Sequence, residues 1–319
     1  MKHTRFSIII PCYNAEKEVV RAIESVKKQK FKDYEIIAVD DFSKDNTYEV
    51  LKKEKDIKVI KNNESLRAGG ARNVAMNIAC GEYIIFLDAD DYLATDDVLL
   101  RLNDLIGMDS PDIIYLGFKS IGRLEGEWIP NVENSTFSKR VREWKYENVW
   151  DICWRNDFLK DNNLKFAEKK YFEDFVFYYK GIIRAKSYKV AEFITHIYTT
   201  FKDDSITSFV NEQKLQDLYS NVNEFLEELK SVNEERKKDV IYAIQRVVSY
   251  SVELLKEYEE KPSSKWTWFF LFLDSISNRS FYYHHNSRRL WLKEVLSISS
   301  HLHIRIRHNL YFLASKSLL

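Results

Sequence analysis

The stretch Gly81-Glu82-Tyr83-Ile84-Ile85-Phe86-Leu87-Asp88-Ala89-Asp90-Asp91 decides the fold, because it joins a core strand to a group of acids. The run Tyr83–Leu87 is apolar, β-branched and aromatic, which predicts a strand buried on both faces. Unpaired carboxylates are costly to bury, so the aspartates should face solvent, a cation or hydrogen-bond donors. The carboxyl edge of an open α/β sheet binds ligands, and hard oxygen donors there suit Mg²⁺ or Mn²⁺ carrying a diphosphate. The alternative is that Asp90 and Asp91 open a helix.

Strand and helix patterns alternate upstream of this stretch. Short apolar runs predict strands, and apolar residues spaced by three and four predict amphipathic helices. The predicted strands are Phe6–Ile10, Glu35–Val39, Ile57–Ile60 and Tyr83–Leu87, and the predicted helices are Ala15–Lys28, Asp45–Lys53 and one that follows Leu66–Asn73 and ends at Ala79. Pro11 lacks an N–H donor and is expected to end the first strand. This alternation predicts an α/β fold with a mainly parallel sheet and crossover helices.

The pattern becomes less regular after Asp91. We predict a helix over Asp96–Ile106, a strand over Asp112–Phe118, a packed helix over Val149–Leu159 and a strand over Ser187–Thr200. The polar and aromatic stretch Lys119–Tyr146 is expected to be a long loop or a hairpin that covers a site.

Two apolar stripes at helical spacing begin at Phe209, with a hinge at Ser231–Glu234. We therefore predict two domains, an α/β domain over residues 1–208 and a helical C-terminal domain over residues 209–319.

Composition limits the classes of function. The 49 basic residues balance 49 acidic residues, so no global field points to nucleic acid, and no nucleic-acid partner is expected. Three widely spaced cysteines indicate neither a disulfide framework nor a zinc site, which fits a reducing cytoplasm. The N-terminus lacks a signal-peptide pattern, and the longest apolar run, Trp266–Leu273, is too short to span a bilayer. We expect a cytoplasmic protein that is soluble or peripheral on a membrane surface.

The C-terminal residues combine basic and aromatic side chains. From Arg279 onwards seven Lys or Arg residues accompany one acid, Glu294, and many aromatic residues. This composition suits the inner face of the cytoplasmic membrane with its anionic lipids. A homodimer contact or a buried helical subdomain would use the same aromatic residues, so both alternatives stay open.

Several phrases of the chain, taken together, resemble family 2 glycosyltransferases of the GT-A fold, in which the sheet is Rossmann-like. The phrases are Ser7-Ile8-Ile9-Ile10-Pro11-Cys12-Tyr13-Asn14, Tyr34–Asp41 with Ser43, Asp45, Asn46 and Thr47, Ala71-Arg72-Asn73, Gly81–Asp91 and the downstream pair Glu173-Asp174. The resemblance covers about Phe6–Thr207 and does not extend to the helical region.

The resemblance implies roles for individual residues. The uridine of a UDP-sugar would be held by Pro11, Tyr13, Asn14 and Asp41, and the nucleotide would also be contacted by Arg67 and Arg72. Asp88-Ala89-Asp90 would be the DxD motif, with Asp90 and Asp88 as ligands of Mn²⁺ or Mg²⁺. Asp174 would be the general base, and Glu173 would orient it or touch the acceptor. Phe42 departs from the family, in which a glycine usually follows the paired aspartates. The alternatives are core packing for Tyr13, solvated helix charges for Arg67 and Arg72, and a helix N-cap for Glu173-Asp174.

The implied function is an inverting, metal-dependent glycosyltransferase. It would move a hexose or N-acetylhexosamine from a UDP-sugar to a hydroxyl of a bacterial surface glycan, such as a capsule, lipooligosaccharide or exopolysaccharide. The acceptor would be a saccharide or a lipid-linked saccharide. Two alternatives are a non-catalytic nucleotide-sugar scaffold and a sugar nucleotidyltransferase. A nucleotidyltransferase would carry a Gly-rich loop after the first strand, where this chain has Pro11-Cys12-Tyr13-Asn14.

Overall fold

The computed structural model describes residues 4–123, 125–133, 135–137, 139–140, 148–200 and 211–257. Its strands are β1 (Thr4–Cys12), β2 (Tyr34–Asp40), β3 (Lys58–Lys61), β4 (Gly81–Phe86), β5 (Tyr92–Leu93), β6 (Ile113–Gly122), β7 (Gly126–Trp128), β8 (Ile152–Arg155) and β9 (Tyr188–Thr200). Its helices are α1 (Val19–Lys27), α2 (Thr47–Lys53), α3 (Arg67–Ile78), α4 (Val98–Ile106), α5 (Asn156–Asp161), α6 (Glu173–Arg184), α7 (Glu212–Ser231) and α8 (Glu234–Glu257).

The described strands form one sheet in the order β3-β2-β1-β4-β8-β6-β9-β5, and β7 pairs with β6 as a hairpin. The strands β1 to β4 run parallel, as predicted, and β8 is antiparallel to both of its neighbours. Because β1, β2 and β4 are adjacent and parallel, the loops that follow them meet at one edge of the sheet. This edge carries the predicted nucleotide and acidic motifs.

The amphipathic pattern of α1 is confirmed. The predicted apolar positions Val19, Ala22, Ile23 and Val26 are fully buried in a core cluster that contains residues of β1, β2 and β4, whereas Val20 is exposed. Burying an aliphatic side chain contributes about 1.5–3 kcal/mol relative to exposure, so this face fixes α1 against the sheet. The loop between β1 and α1 is thereby held at the carboxyl edge.

The prediction that Pro11 ends the first strand is wrong. The strand β1 does not end at Pro11 but continues to Cys12, paired with β2. The pairing of β1 with β4 ends at Ile9, so beyond that point β1 has a neighbour on one side and tolerates a proline without an N–H.

The predicted helix over Val149–Leu159 is also wrong, because Ile152–Arg155 is the strand β8 and the helix α5 begins at Asn156. The spacing of Trp150 and Trp154 suggested one helical face. Both side chains are buried, yet Trp154 lies in a strand between β4 and β6, and its indole N–H donates to the carbonyl of Val149 at 3.0 Å. Sheet pairing on both sides outweighs a helical pattern of this length.

The Cα positions divide the chain into two compact units, Met1–Ser208 and Phe209–Leu319. In the second unit α7 and α8 bury the apolar residues Leu218, Val222, Phe225, Val240, Ala243, Ile244 and Val247. None of the helices in the described ranges is both long and apolar enough to cross a bilayer. Residues 258–319, on which the membrane and dimer predictions rest, lie outside the described residues, so those predictions stay predictions.

Candidate active site

The acidic residues after β4 form a tight turn and do not open a helix. The N–H of Asp91 donates to the carbonyl of Asp88 at 3.0 Å, and β5 begins directly afterwards at Tyr92. Asp91 is buried and its carboxylate accepts from the N–H of Thr199 at 2.8 Å. Burial, together with the charges of Asp88 and Asp90, raises the pKa of Asp91 well above its usual value. The turn therefore presents Asp88 and Asp90 at the edge and directs Asp91 inward.

Arg72 joins this turn to the start of α6. Its Nη2 lies 2.8 Å from Oδ1 of Asp88 and its Nη1 lies 3.1 Å from Oε1 of Glu173. The side chain is 6% exposed, so the alternative that Arg72 is a solvated helix charge is wrong. A forked guanidinium can hold two carboxylates at once, which a lysine cannot do with the same geometry. One buried cation thus sets the spacing between the acidic turn and the downstream acidic pair.

Glu173 and Asp174 occupy the first turn of α6, and Phe172, with a φ of 57°, is the residue before it. Burial raises the pKa of Glu173, while Arg72 opposes that shift. Burial, and then the charge of Glu173, raises the pKa of Asp174 to about 8. A carboxyl group whose pKa lies near the working pH is, when ionised, a stronger base than an ordinary aspartate, which suits a general base.

A glycine permits the close packing of α3 on this pair. A Cβ placed on Gly69 would lie 2.5 Å from Cγ of Glu173 and 2.8 Å from the carbonyl oxygen of Ala167. Such distances are sterically forbidden, so only glycine lets the first turn of α3 approach Glu173. The helix that carries Arg72 is therefore seated against the residue that Arg72 binds.

The loops that follow β1 and β2 are joined by hydrogen bonds. The N–H of Asn14 donates to the hydroxyl of Ser43 at 3.0 Å, and the N–H of Lys44 donates to the Asn14 side-chain oxygen at 2.8 Å. The N–H of Ala15 donates to the hydroxyl of Thr47 at 2.8 Å. Tyr13 is 54% exposed on this joined pair of loops, so the alternative that it packs in the core is wrong.

Asp41 is buried beneath these loops and accepts three hydrogen bonds. Oδ1 accepts from Nδ2 of Asn62 and from the N–H of Leu66, each at 2.8 Å, and Oδ2 accepts from the hydroxyl of Ser65 at 2.7 Å. These donors are all neutral and all follow β3 in the chain. The resemblance implies that Asp41 holds the uridine, and a hydrogen bond from the uracil imide N–H would have to use the capacity that remains on Oδ2.

Phe42, which follows Asp41, and Arg67, the first residue of α3, have left-handed backbone conformations that usually favour glycine. Phe42 has a φ of 64°, is partly exposed, and its ring lies 3.6 Å from Nζ of Lys44. Arg67 has a φ of 60°, and its guanidinium lies 3.5 Å from the centre of the Tyr171 ring. The family's glycine is thus replaced by a phenylalanine that adopts the conformation a glycine would supply.

The remaining predicted residues lie on the same edge. Pro11 is near the end of β1, and Ala89, in the acidic turn, is buried and contributes to the core beneath it. The structure therefore brings Asp88, Arg72, Glu173 and Asp174 together directly, while Tyr13, Asn14 and Asp41 lie at the ends of β1 and β2.

Sequence reasoning missed two residues at the end of β9. The hydroxyl of Thr199 donates to the carbonyl of Asp90 at 2.6 Å. The ring of Tyr198 stacks on Trp150 at 5.1 Å, and burial, with the charges of Asp91, Asp88, Asp90 and Asp174, raises its pKa to about 12. No local motif marks these positions, because they reach the acidic turn only through sheet pairing.

The donor set fits a divalent cation held partly by a substrate. Asp88 and Asp90 offer carboxylate oxygens, which Mg²⁺ and Mn²⁺ prefer. Within the described ranges no three His, Cys, Asp or Glu side chains converge as a complete metal site. This arrangement suits a cation that takes its other ligands from a diphosphate and water.

Residues 7–165 match the family model described as glycosyl transferase family 2. Over 94 residues, which are 29% of this chain and 38% of the relative, the sequence is 46% identical to UDP-Glc:alpha-D-GlcNAc-diphosphoundecaprenol beta-1,3-glucosyltransferase WfaP of Escherichia coli. Over 210 residues, which are 62% of this chain and 36% of the relative, it is 28% identical to poly(ribitol-phosphate) beta-N-acetylglucosaminyltransferase TarS of Staphylococcus aureus. The chain thus spans less than two fifths of the length of either curated relative.

The fold is similar to solved structures. The crystal structure of residues 1–349 of S. aureus TarS matches with a TM-score of 0.68 and 23% identity, covering 86% of this chain and 80% of that one. The complex of the same fragment with UDP-GlcNAc matches with a TM-score of 0.63 and 20% identity, covering 88% of this chain and 93% of that one. These similarities confirm the predicted GT-A fold.

Proposed function

We propose that this chain, a member of glycosyl transferase family 2 through residues 7–165, transfers a sugar from a UDP-sugar to a hydroxyl of a bacterial glycan. The proposed donor sugar is a hexose or an N-acetylhexosamine, with glucose and N-acetylglucosamine the first to test. The names of the two relatives support this choice, because WfaP is named for UDP-Glc and TarS for N-acetylglucosaminyl transfer.

The proposed acceptor is a saccharide or polyol on a carrier. WfaP is named for a sugar on diphosphoundecaprenol and TarS for poly(ribitol-phosphate), so the two names describe a lipid-linked sugar and a polyol-phosphate polymer. Both names also specify β linkages. A β product from an α-linked UDP-sugar requires inversion, in which the acceptor hydroxyl attacks from the side opposite the diphosphate. We therefore propose a single displacement with one general base.

The nucleotide end of the reaction is proposed to lie on the joined loops after β1 and β2. Tyr13 is exposed there and can contact the uracil ring, while Asn14 and Asp41 hold the loops in place through their hydrogen bonds. Asp88 and Asp90 would hold Mn²⁺ or Mg²⁺, which would neutralise the charge that develops on the departing diphosphate. The guanidinium of Arg72 donates to the Asp88 carboxylate, and in this proposal it orients that carboxylate rather than the nucleotide.

Asp174 is proposed as the general base, and Glu173 as the residue that positions it. The carboxylate of Glu173 is paired with Arg72, so its proton affinity is offset by a cation. Asp174 accepts from the N–H of Phe175 at 3.0 Å and has a pKa raised to about 8. At the moment of attack Asp174 would accept the proton of the acceptor hydroxyl as its oxygen bonds to the anomeric carbon and UDP departs.

The observation that carries this proposal is the Arg72 bridge from Asp88 to Glu173. It links the acids that suit a nucleotide-bound cation to the pair that suits proton transfer. A nucleotide-binding scaffold would need the first group of acids but has no need for a neighbouring carboxyl with a raised pKa.

A donor screen tests the proposal. Thermal unfolding with Mn²⁺ is measured against UDP-glucose, UDP-galactose, UDP-N-acetylglucosamine, UDP-N-acetylgalactosamine and UDP-glucuronate, with GDP- and CMP-sugars as controls. Bound ligand stabilises the native state by RT ln(1 + [L]/Kd), so a ligand at 100 times its Kd contributes about 2.7 kcal/mol. We expect stabilisation by UDP species and slow release of UDP from one of them. Binding without release, even with a polyol phosphate or lipid-linked acceptor present, would favour a scaffold instead.

A further inference from the structure

The acidic turn after β4 is fastened to the end of β9, more than a hundred residues later in the chain. The N–H of Thr199 donates to the Asp91 carboxylate at 2.8 Å, and the N–H of Ala94 donates to the carbonyl of Thr195 at 2.9 Å. Between these bonds, β5 pairs with β9, with Tyr92 opposite Ile197. The turn is therefore held by β9 as well as by Arg72.

The carbonyl oxygen of Asp90 accepts two hydrogen bonds that tie the acidic turn to other elements. It accepts from the hydroxyl of Thr199 at 2.6 Å and also from Nη2 of Arg21 on α1. The guanidinium of Arg21 lies in turn 4.7 Å from the centre of the Tyr92 ring. A carbonyl oxygen has two lone pairs, so two donors from separate elements occupy both of them. The peptide plane after Asp90 is thereby fixed, and with it the position of the Asp90 Cα from which the side chain extends.

The two aspartates of the turn are consequently held in different ways. The Asp88 carboxylate accepts from Arg72, and the main-chain carbonyl of Asp90 accepts from Thr199 and Arg21. We propose that Thr199, assisted by Arg21, is a positioning residue that aims the Asp90 carboxylate at the divalent cation. The inference rests on the proposed function, because it concerns the cation that this function would use.

Groups that orient a metal ligand without touching the metal affect binding measurably. Removing such a group typically weakens metal affinity about 10- to 100-fold. Because Arg21 would remain in place, we expect the lower end of this range for the loss of the Thr199 hydroxyl. We expect a smaller loss, about threefold, for Arg21→Met, since Arg21 donates from an exposed position.

The variant Thr199→Val removes one hydroxyl, which also interacts with the Asp91 carboxylate, and keeps the rest of the side-chain volume. Valine keeps the β-branched shape suited to a strand, and it keeps the N–H that donates to Asp91. Thr199→Ser restores the hydroxyl. Thr200→Val is the matched control, because it makes the same change on the next residue, whose hydroxyl donates to the carbonyl of Ile121 on β6 at 2.9 Å.

Binding of Mn²⁺ in the presence of UDP is measured from the electron paramagnetic resonance signal of free Mn²⁺, and the unfolding midpoint is measured in EDTA. We expect Thr199→Val to raise the Kd for Mn²⁺ about tenfold, and Thr199→Ser and Thr200→Val to stay within about twofold of the natural chain. Turnover of Thr199→Val should recover at saturating Mn²⁺, so that KM for Mn²⁺ changes and kcat does not.

Equal Mn²⁺ affinities for Thr199→Val and Thr200→Val, or failure of Thr199→Ser to restore binding, would overturn the positioning role. Should Thr199→Val fail to fold, an unchanged Kd in the exposed variant Arg21→Met would overturn it instead. Absence of Mn²⁺ binding by the natural chain with UDP would overturn the metal-dependent function itself. That outcome is distinct from normal binding by the natural chain with no effect of the variants.

Discussion

Asp41 and Asp174 are both acids of the candidate site, but their surroundings differ. Asp41 is 2% exposed and accepts hydrogen bonds from Asn62, Ser65 and Leu66. Asp174 accepts one from the N–H of Phe175 and lies beside the second acid Glu173. Protein donors take the place of water around the Asp41 carboxylate, whereas the Asp174 carboxylate is buried with fewer donors around it. A carboxylate of the first kind holds structure, and one of the second kind binds a proton.

The largest expected effect comes from removing the proposed base, Asp174. Asp174→Asn should lower turnover about 10²- to 10⁴-fold, because a positioned general base contributes that much, while UDP affinity stays unchanged. The measurement is kcat with the donor found in the screen, together with the Kd for UDP. Asp161→Asn, at the exposed end of α5, is the control. Full activity in Asp174→Asn would assign the base elsewhere.

The pH dependence follows from the raised pKa of Asp174. Below a pKa of about 8 the base is mostly protonated, so kcat/KM should fall about tenfold per pH unit as pH decreases. The folded pKa lies above the unfolded value of about 3.9, so ionisation lowers stability as pH rises from about 4 to about 8. Asp174→Asn removes that loss, and its stability relative to the natural chain should be greater at pH 8 than at pH 5.

The second effect tests the bridge between the two acid groups. Arg72→Met leaves Asp88 and Glu173 without their cation, and breaking a buried ion pair costs about 3–5 kcal/mol in the free energy of unfolding. Because Arg72 lowers the pKa of Asp174, the pH–rate profile of Arg72→Lys, which keeps the charge, should move less than that of Arg72→Met. Chemical denaturation and pH–rate profiles measure both, with exposed Arg101→Met as control. Equal profiles for the two Arg72 variants would exclude an electrostatic role.

The third effect applies the amide substitution to the other acid. Asp41→Asn keeps one acceptor oxygen for Asn62 and Leu66 and turns an N–H₂ group toward the Ser65 hydroxyl, which must then accept. Loss of the carboxylate charge from these three hydrogen bonds should cost about 1–3 kcal/mol in the free energy of unfolding. Asp33→Asn, at an exposed position, is the control in urea denaturation. The comparison between Asp41 and Asp174 fails if Asp41→Asn is as stable as the natural chain.

The smallest effect concerns the replaced glycine. Phe42→Gly should relieve about 1 kcal/mol of left-handed strain but add unfolded-state entropy of similar size, so stability should change by less than about 0.5 kcal/mol. Calorimetry of the variant beside the exposed control Tyr13→Ala tests this. A loss above about 1 kcal/mol would mean that the contact between the Phe42 ring and Lys44 supports the loop.

Local patterns predicted much of this molecule. The strand ahead of the acids, the buried face of α1 and the parallel order of β1 to β4 agree with the prediction, because period and side-chain type control these features. The error at β8 has the opposite origin. Four residues between two neighbouring strands are stabilised by partners far away in the chain, which no local pattern contains.

The sequence by itself determined that acids end the β4 strand and that a parallel sheet gathers its loops at one edge, and its resemblance to family 2 glycosyltransferases predicted a role for Glu173-Asp174. Only the tertiary structure decided that Arg72 joins Asp88 to Glu173, and that Thr199 and Arg21 meet at the carbonyl of Asp90. The physical reason is that these contacts depend on directed bonds between distant segments. A motif specifies which groups are present, whereas packing specifies their partners and hence their charge state.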